Sequence, residues 1–265
     1  MAEIEIRNLS KIFESHKDSN LKFLALEELN FTVEDKKFVC LLGPSGCGKS
    51  TILNIIAGLE EPTSGEVLIG GKACCYGDDR TCKIGYVFQE PRLLPWLTVE
   101  KNIHFVLESQ GIPSSQWKEI SSNYIEMVRL REFEKSYPYQ LSGGMQQRTS
   151  IARAFSINPD ILLMDEPFSG LDEITARKLR YELLNIWRNN QKTILFVTHN
   201  SFEATFLADK ILIMNKCPGK IYKEIKVNIP RPRDYDNPML FEFNRAIVKD
   251  FIKFISPDED LQIED

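Results

Sequence analysis

The sequence lacks any run of about 18 consecutive apolar residues, the least that crosses a bilayer, so work at a membrane would need a separate membrane-spanning chain. It also lacks an excess of positive charge. Lys and Arg number 33 against 38 Asp and Glu, a formal net charge of -5, which leaves no electrostatic footprint for nucleic acid. The six cysteines, at positions 40, 47, 74, 75, 82 and 217, include no pair of CxxC motifs and no Cys/His ligand spacing. That excludes a zinc-ribbon type of site and a disulfide framework, and the loose cluster Cys74, Cys75 and Cys82 reads as ordinary reduced thiols. The first ten residues are acidic and alternating, without a basic start followed by an apolar run, so no signal peptide is expected and a cytoplasmic chain is.

What remains is an ordinary globular composition, 43% apolar and 27% charged over 265 residues, enough chain for a sizeable core. Residues 4–9 and 31–34 alternate apolar and polar, as half-buried strands of an antiparallel sheet do. Residues 39–42, 161–164 and 194–197 are instead continuous apolar runs, the pattern of parallel strands covered on both faces. Each leads into polar residues, and open α/β sheets place their ligands at the carboxyl ends of parallel strands. From about 91 to 154 the spacing turns helical, with a Ser/Pro-rich interruption at 112–116, and predicts an inserted helical subdomain. Strand-like segments follow at 210–214 and 220–229, then a Pro/Arg turn at 230–233, an amphipathic helix over about 239–255, and an acidic tail at 257–265. A main domain over 1–230 with a short helical extension and tail over 231–265 is the expected division. The predicted fold class is α/β: a P-loop NTPase core with a parallel sheet, an antiparallel β subdomain and an inserted α-helical subdomain.

Gly43, Pro44, Ser45, Gly46, Cys47, Gly48, Lys49 and Ser50 fit the phosphate-loop pattern G-x-x-x-x-G-K-S/T, between a strand and a helical pattern over 51–59 that begins at Thr51. Glycines let backbone N–H groups turn toward phosphate oxygens, Lys49 reaches the terminal phosphates, and Ser50 suits Mg²⁺. Asp165 and Glu166 follow an apolar strand; Asp165 suits the Mg²⁺ shell and Glu166 the alignment and deprotonation of a water. His199 ends the strand 193–198, where it could touch a terminal phosphate, and Gln89 ends the strand-like segment 83–88. In residues 141–148, LeuSerGlyGlyMetGlnGlnArg, Gly143 and Gly144 precede a helical pattern over 146–155 and form a second anion cradle. One nucleotide rarely needs two cradles from one chain, so the second is expected to serve the nucleotide of a second copy.

With these residues assembled, the chain resembles the nucleotide-binding subunits of ABC transporters over about residues 3–230. The phosphate loop resembles their Walker A, 161–166 (ILLMDE) their Walker B, 141–148 their signature, Gln89 their Q-loop, 169–172 (SGLD) their D-loop and His199 their switch histidine, in the family's order. The resemblance implies ATP hydrolysis with Mg²⁺ held by Ser50, Gln89 and Asp165. It implies head-to-tail pairing of two subunits, with Ser142, Gly143 and Gly144 and the D-loop's Asp172 acting at the shared sites, and Phe13 stacking on adenine. It implies integral membrane permease subunits as partners, at the inner face of the cell membrane. Residues 91–99 and 229–234 resemble the importers of nitrate, sulfonates, taurine and related small organic molecules, which would add a substrate-binding protein, although Asn200 stands where that group more often has Asp. The motifs also suit the ATPase of an exporter or lipid-extracting complex, or, less well, a soluble non-transport ABC protein. The apolar run 93–97, opening the helical region, is expected to receive a helix of the membrane subunit, with Trp96 as the exposed anchor.

Overall fold

The computed structural model describes residues 2–14, 22–74 and 82–255. The stretch 15–20, Cys75 and the acidic tail 257–265 fall outside them. In chain order the elements are β1 (Ile4–Glu14), β2 (Lys22–Val33), β3 (Phe38–Leu42), α1 (Lys49–Ile56), β4 (Ser64–Ile69), β5 (Lys72–Ala73) and β6 (Ile84–Val87). Then follow α2 (Val99–Ser109), α3 (Ser114–Met127), α4 (Gly143–Ser156), β7 (Ile161–Asp165), α5 (Glu173–Asn190), β8 (Thr193–Thr198), α6 (Ser201–Leu207), β9 (Lys210–Met214), β10 (Ile221–Lys226) and α7 (Pro238–Ile255).

Two sheets form. One is antiparallel, in the order β2-β1-β4-β5; the other runs β10-β9-β3-β8-β7-β6, parallel except for the β9–β10 edge. Every residue of β3, β7 and β8 is buried, the physical reason that these strands read as unbroken apolar runs. Successive side chains leave a strand on opposite faces, and the larger sheet uses this to divide two cores. Phe38, Cys40 and Leu42 pack with Leu162, Met164, Ile194 and Phe196 against the helical side. Val39 and Leu41 pack with Ile161, Leu163, Leu195 and Val197 against α1 and the antiparallel sheet.

Several boundaries differ from the sequence reading. β1 and β2 run well past 4–9 and 31–34, because bulges break their alternation: the β1–β2 register shifts between Ile6 and Ile12, and Asn8 and Glu28 take positive φ of 47° and 46°. The helix after the phosphate loop begins at Lys49, two residues before Thr51, and α3 begins at Ser114, inside the proposed interruption. Gly143 and Gly144 lie within the first turn of α4 rather than before it, since Ser142 is the N-cap and its hydroxyl accepts from Met145 N–H.

The Pro/Arg turn has a structural explanation. The Arg233 guanidinium, 2% exposed, donates to the carbonyls of Thr205, Phe206 and Ala208, satisfying the end of α6, and to Ile229 and Val227. Burial, with Arg231 alongside, pushes its pKa down to about 10. Arg231 adds bonds to Asp209 and the Leu207 carbonyl and lies over the Trp187 ring at 4.6 Å. Among the described residues no helix is long and apolar enough to cross a membrane.

Candidate functional site

The parallel order β3-β8-β7-β6 brings four strand ends to one edge. The phosphate loop follows β3, His199 follows β8, Glu166 follows β7, and Gln89 lies two residues beyond β6. Backbone bonds tie the ends together: Gly43 N–H donates to Thr198 O at 3.3 Å and Glu166 N–H to Val197 O at 3.0 Å. Gly48, the N-cap of α1, has φ 94°, and a β-carbon there would meet Leu26 Cδ2 at 2.5 Å. Only glycine allows both the turn and the close approach. The resulting cleft, about 390 Å³, is lined by Ser45, Gly46, Gly48, Lys49, Ser50, Thr51, Gln89 and Glu166, with Phe13, Phe23 and Ala25 at one side.

Lys49, 5% exposed, donates to the Gly43 and Pro44 carbonyls at 2.9 Å each and lies 3.4 Å from Glu166 Oε1. The other Glu166 oxygen lies 2.7 Å from His199 Nδ1. Thus Glu166 joins the phosphate-loop cation to the β8 histidine. Burial pushes the Asp165 carboxyl above its ordinary range, with the neighbouring Ser50 hydroxyl pulling against it. Gln89 Nε2 lies 3.5 Å from Ser169 Oγ. The segment after Gln89 is held by α4, through Arg153 to the Pro91 and Arg92 carbonyls at 3.0 and 2.9 Å and Gln147 to the Phe88 carbonyl at 3.4 Å.

Other expected residues stand apart. Cys47 is fully buried, burial pushes its thiol pKa up, and it does not line the cleft. Ser142, Gly143, Gly144 and Asp172 do not line this cleft. Gly143 faces open space, whereas a β-carbon on Gly144 would touch Thr175 Cγ2 at 3.0 Å, so the start of α4 lies against the start of α5. The Asp172 carboxylate caps α5 by accepting from Thr175 N–H at 3.0 Å, and the Thr175 hydroxyl first, then this backbone bond, hold its pKa below the ordinary range. Asn200 caps α6, its Oδ1 accepting from Phe202 and Glu203 N–H at 2.9 and 3.2 Å, which an Asp does equally.

Phe23 escaped the sequence reading. It is the cross-strand partner of Phe13, and both rings are exposed beside the cleft. The signal was an aromatic on each arm of the β1–β2 pair, obscured by the bulges. Lys11 Nζ lies 5.0 Å from the Phe13 ring centroid. Among the described residues no group of three or more His, Cys, Asp or Glu is placed to hold a metal, and burial first, then Asp160, pushes the Cys82 thiol up to about 12. A larger hollow, about 730 Å³, opens beside Lys36, Asp160 and Thr193 at the opposite, amino-terminal ends of the strands.

A glycine-wrapped loop between a buried parallel strand and a helix, facing a carboxylate and a histidine from neighbouring strand ends, defines a P-loop nucleotide-binding fold. The family model described as ABC transporter matches residues 26–169, and the chain belongs to that family. It is an ATP-binding subunit and an ATPase of the ABC transporter kind, and it resembles the sulfonate importer group. An uncharacterized ABC transporter ATP-binding protein of Methanocaldococcus jannaschii is 45% identical over 247 residues, covering 93% of this chain and 90% of that protein. The aliphatic sulfonates import ATP-binding protein SsuB of Bacillus cereus is 42% identical over 248 residues, covering 94% of this chain and 95% of its own length. An ATP-binding cassette solved as a dimer in a post-hydrolysis state with ADP and Pi superposes with a TM-score of 0.76 at 33% identity, covering 86% of this chain and all of that one.

Proposed function

We propose that the chain is the motor subunit of an importer for nitrate, sulfonate, taurine or a related small organic molecule, with aliphatic sulfonates first among them. The observation that carries this reading is the near full-length similarity to the sulfonate import protein, 42% identical along 95% of its length. In this reading two copies pair head to tail, and each ATP lies between residues 43–51 of one and Ser142, Gly143 and Gly144 of the other, with Asp172 near the join. The dimeric cassette to which the chain is 33% identical supports the pairing. Phe13, with Phe23 beside it, offers a ring for adenine.

Lys49 exchanges the Gly43 and Pro44 carbonyls for the terminal phosphates, a charge-assisted contact in place of neutral ones. Glu166 takes the proton of the attacking water, and His199 fixes the carboxylate through Nδ1 while leaving Nε2 for the phosphate. Ser50 and Asp165 are neighbouring oxygen ligands, a hard set that fits Mg²⁺, and Gln89, which lines the cleft with Ser50, would complete the protein's share. When bound, Mg²⁺ neutralises charge on the β- and γ-phosphates.

The membrane partner is proposed to dock at residues 93–97. Asn102 pins this loop, its Oδ1 accepting from Leu94 N–H at 2.8 Å and its amide donating to the Leu94 and Leu97 carbonyls, while Trp96 stands 68% exposed. A rigid loop presenting an exposed aromatic suits a partner surface. The chain would then lie at the inner face of the membrane through its permease subunits. The test is reconstitution in liposomes with candidate membrane subunits and a sulfonate-binding protein. Sulfonate-loaded binding protein should stimulate ATP turnover; stimulation without any binding protein, by a substrate presented from the ATP side, would assign the chain to an exporter.

A further inference from the structure

Behind Glu166 and His199 lies a hollow of about 180 Å³ that Arg180 and Glu203 help to line. Arg180, on α5 and only 1% exposed, is shared among three parts of the chain. Its Nη1 donates to Tyr235 Oη at 2.6 Å, its Nη2 donates to both oxygens of Glu173 at 3.0 Å, and its Nε lies 3.6 Å from Glu203 Oε1 without a hydrogen-bond partner. The other Glu203 oxygen accepts from Thr198 Oγ1 at 2.6 Å, and Thr198 Oγ1 accepts from Asn200 N–H at 3.0 Å. The two residues flanking His199 are therefore fixed by a chain that ends on Arg180. Glu173 directly follows Asp172, so the same cation also holds the start of α5.

Plain packing does not require a charge at this place. A buried ion pair is commonly no better for stability than apolar side chains of like volume, and Tyr181, Phe202 and Phe206, which ring Tyr235, would accept one. What a guanidinium adds is direction, several contacts at fixed angles from one planar group. Tyr235 in turn is fixed independently of Arg180: its ring packs 4.4 Å from Phe206, and the Arg177 guanidinium covers it at 4.3 Å. Arg233 anchors the same segment to the end of α6, the helix that Asn200 starts.

We propose that Arg180 is a positioning residue of the ATPase: through Glu203 and Thr198 it sets His199 against Glu166, and Tyr235, from the segment after β10, holds Arg180 in place. This rests on the reading of Glu166 and His199 as the hydrolytic pair. Segment 231–235 thereby becomes part of the hydrolytic apparatus although it lies beyond the sheet.

The test uses the full chain with Tyr235→Phe, which removes one hydroxyl and keeps the ring, and with Arg180→Lys and Arg180→Met. Losing the 2.6 Å bond should lower kcat by about three- to tenfold while KM for ATP stays within about twofold. Arg180→Met should lose more and Arg180→Lys should recover part of it. In a His199→Ala background, Tyr235→Phe should cause no further loss, because its effect passes through His199. A fall in melting temperature with unchanged kcat per folded molecule, or an equal loss with and without His199, overturns the positioning role. Full turnover by His199→Ala alone overturns the reading of His199 itself, and with it the route by which Arg180 acts. If Arg180→Met does not fold, Tyr235→Phe still decides.

Discussion

Replacing Glu166 by Gln removes a base while changing almost nothing else. The backbone at 166 sits at φ 40°, which Gln adopts at the same cost as Glu, so folding does not distinguish them. An amide oxygen still accepts from His199 Nδ1, now at 2.7 Å from the carboxylate, and Lys49 keeps its two carbonyl partners. What is lost is proton uptake from water, for which a positioned side chain contributes about 10² to 10⁴ in rate. At about 1.4 kcal/mol per tenfold, this is roughly 3–5 kcal/mol of barrier. ATP affinity should not fall, because a negative charge 3.4 Å from Lys49 is removed beside the polyphosphate. The assay pairs phosphate release at saturating Mg-ATP with fluorescent-ATP binding and size-exclusion chromatography. Turnover should fall at least a hundredfold while ATP-held dimers accumulate. Turnover within about threefold of wild type, in a variant of unchanged melting temperature, would show that another group takes the proton.

Other substitutions probe other parts. Trp96→Ala should leave the melting temperature and ATP binding intact and weaken pull-down of the membrane subunit; a large melting drop with unchanged pull-down would make Trp96 part of the core. Asn200→Ala removes the α6 cap and should cost about 1 kcal/mol, roughly 2–4 °C in melting temperature, whereas Asn200→Asp should be near neutral by the same calorimetry. Omitting Mg²⁺ should suppress turnover, and Asp165→Asn should raise the Mg²⁺ concentration that half-restores it in a titration.

Local features were legible in the residues. The phosphate loop, the apolar strands and the polar groups at their ends lie within short windows, and burial on both faces dictates the composition of β3, β7 and β8. The Ser142 cap went unread, because two glycines in a first turn lower helix propensity and moved the apparent start of α4 to Gln146. What depends on distant pairing was not legible. Arg180 and Tyr235 are 55 residues apart, and Arg233 reaches back 25 residues or more to the α6 carbonyls. In sequence these are an arginine on a helix surface and an arginine in a proline-rich turn, types usually exposed. Phe23 was hidden because bulges in β1 and β2 break the alternation by which two facing aromatics would be matched.

The central claim is that one ATP is worked on by two copies, the phosphate loop of one and the signature of the other. Lys49→Ala disables the first and Ser142→Arg the second, while each leaves the other element intact. Mixing the two inactive variants is the direct measurement. A mixed dimer then holds one site with both elements intact and one with neither, so ATP turnover should reappear at up to half the wild-type rate per mixed dimer. If mixed dimers form, as seen by differential tagging, and no turnover returns, the two elements act within one chain and the claim is contradicted.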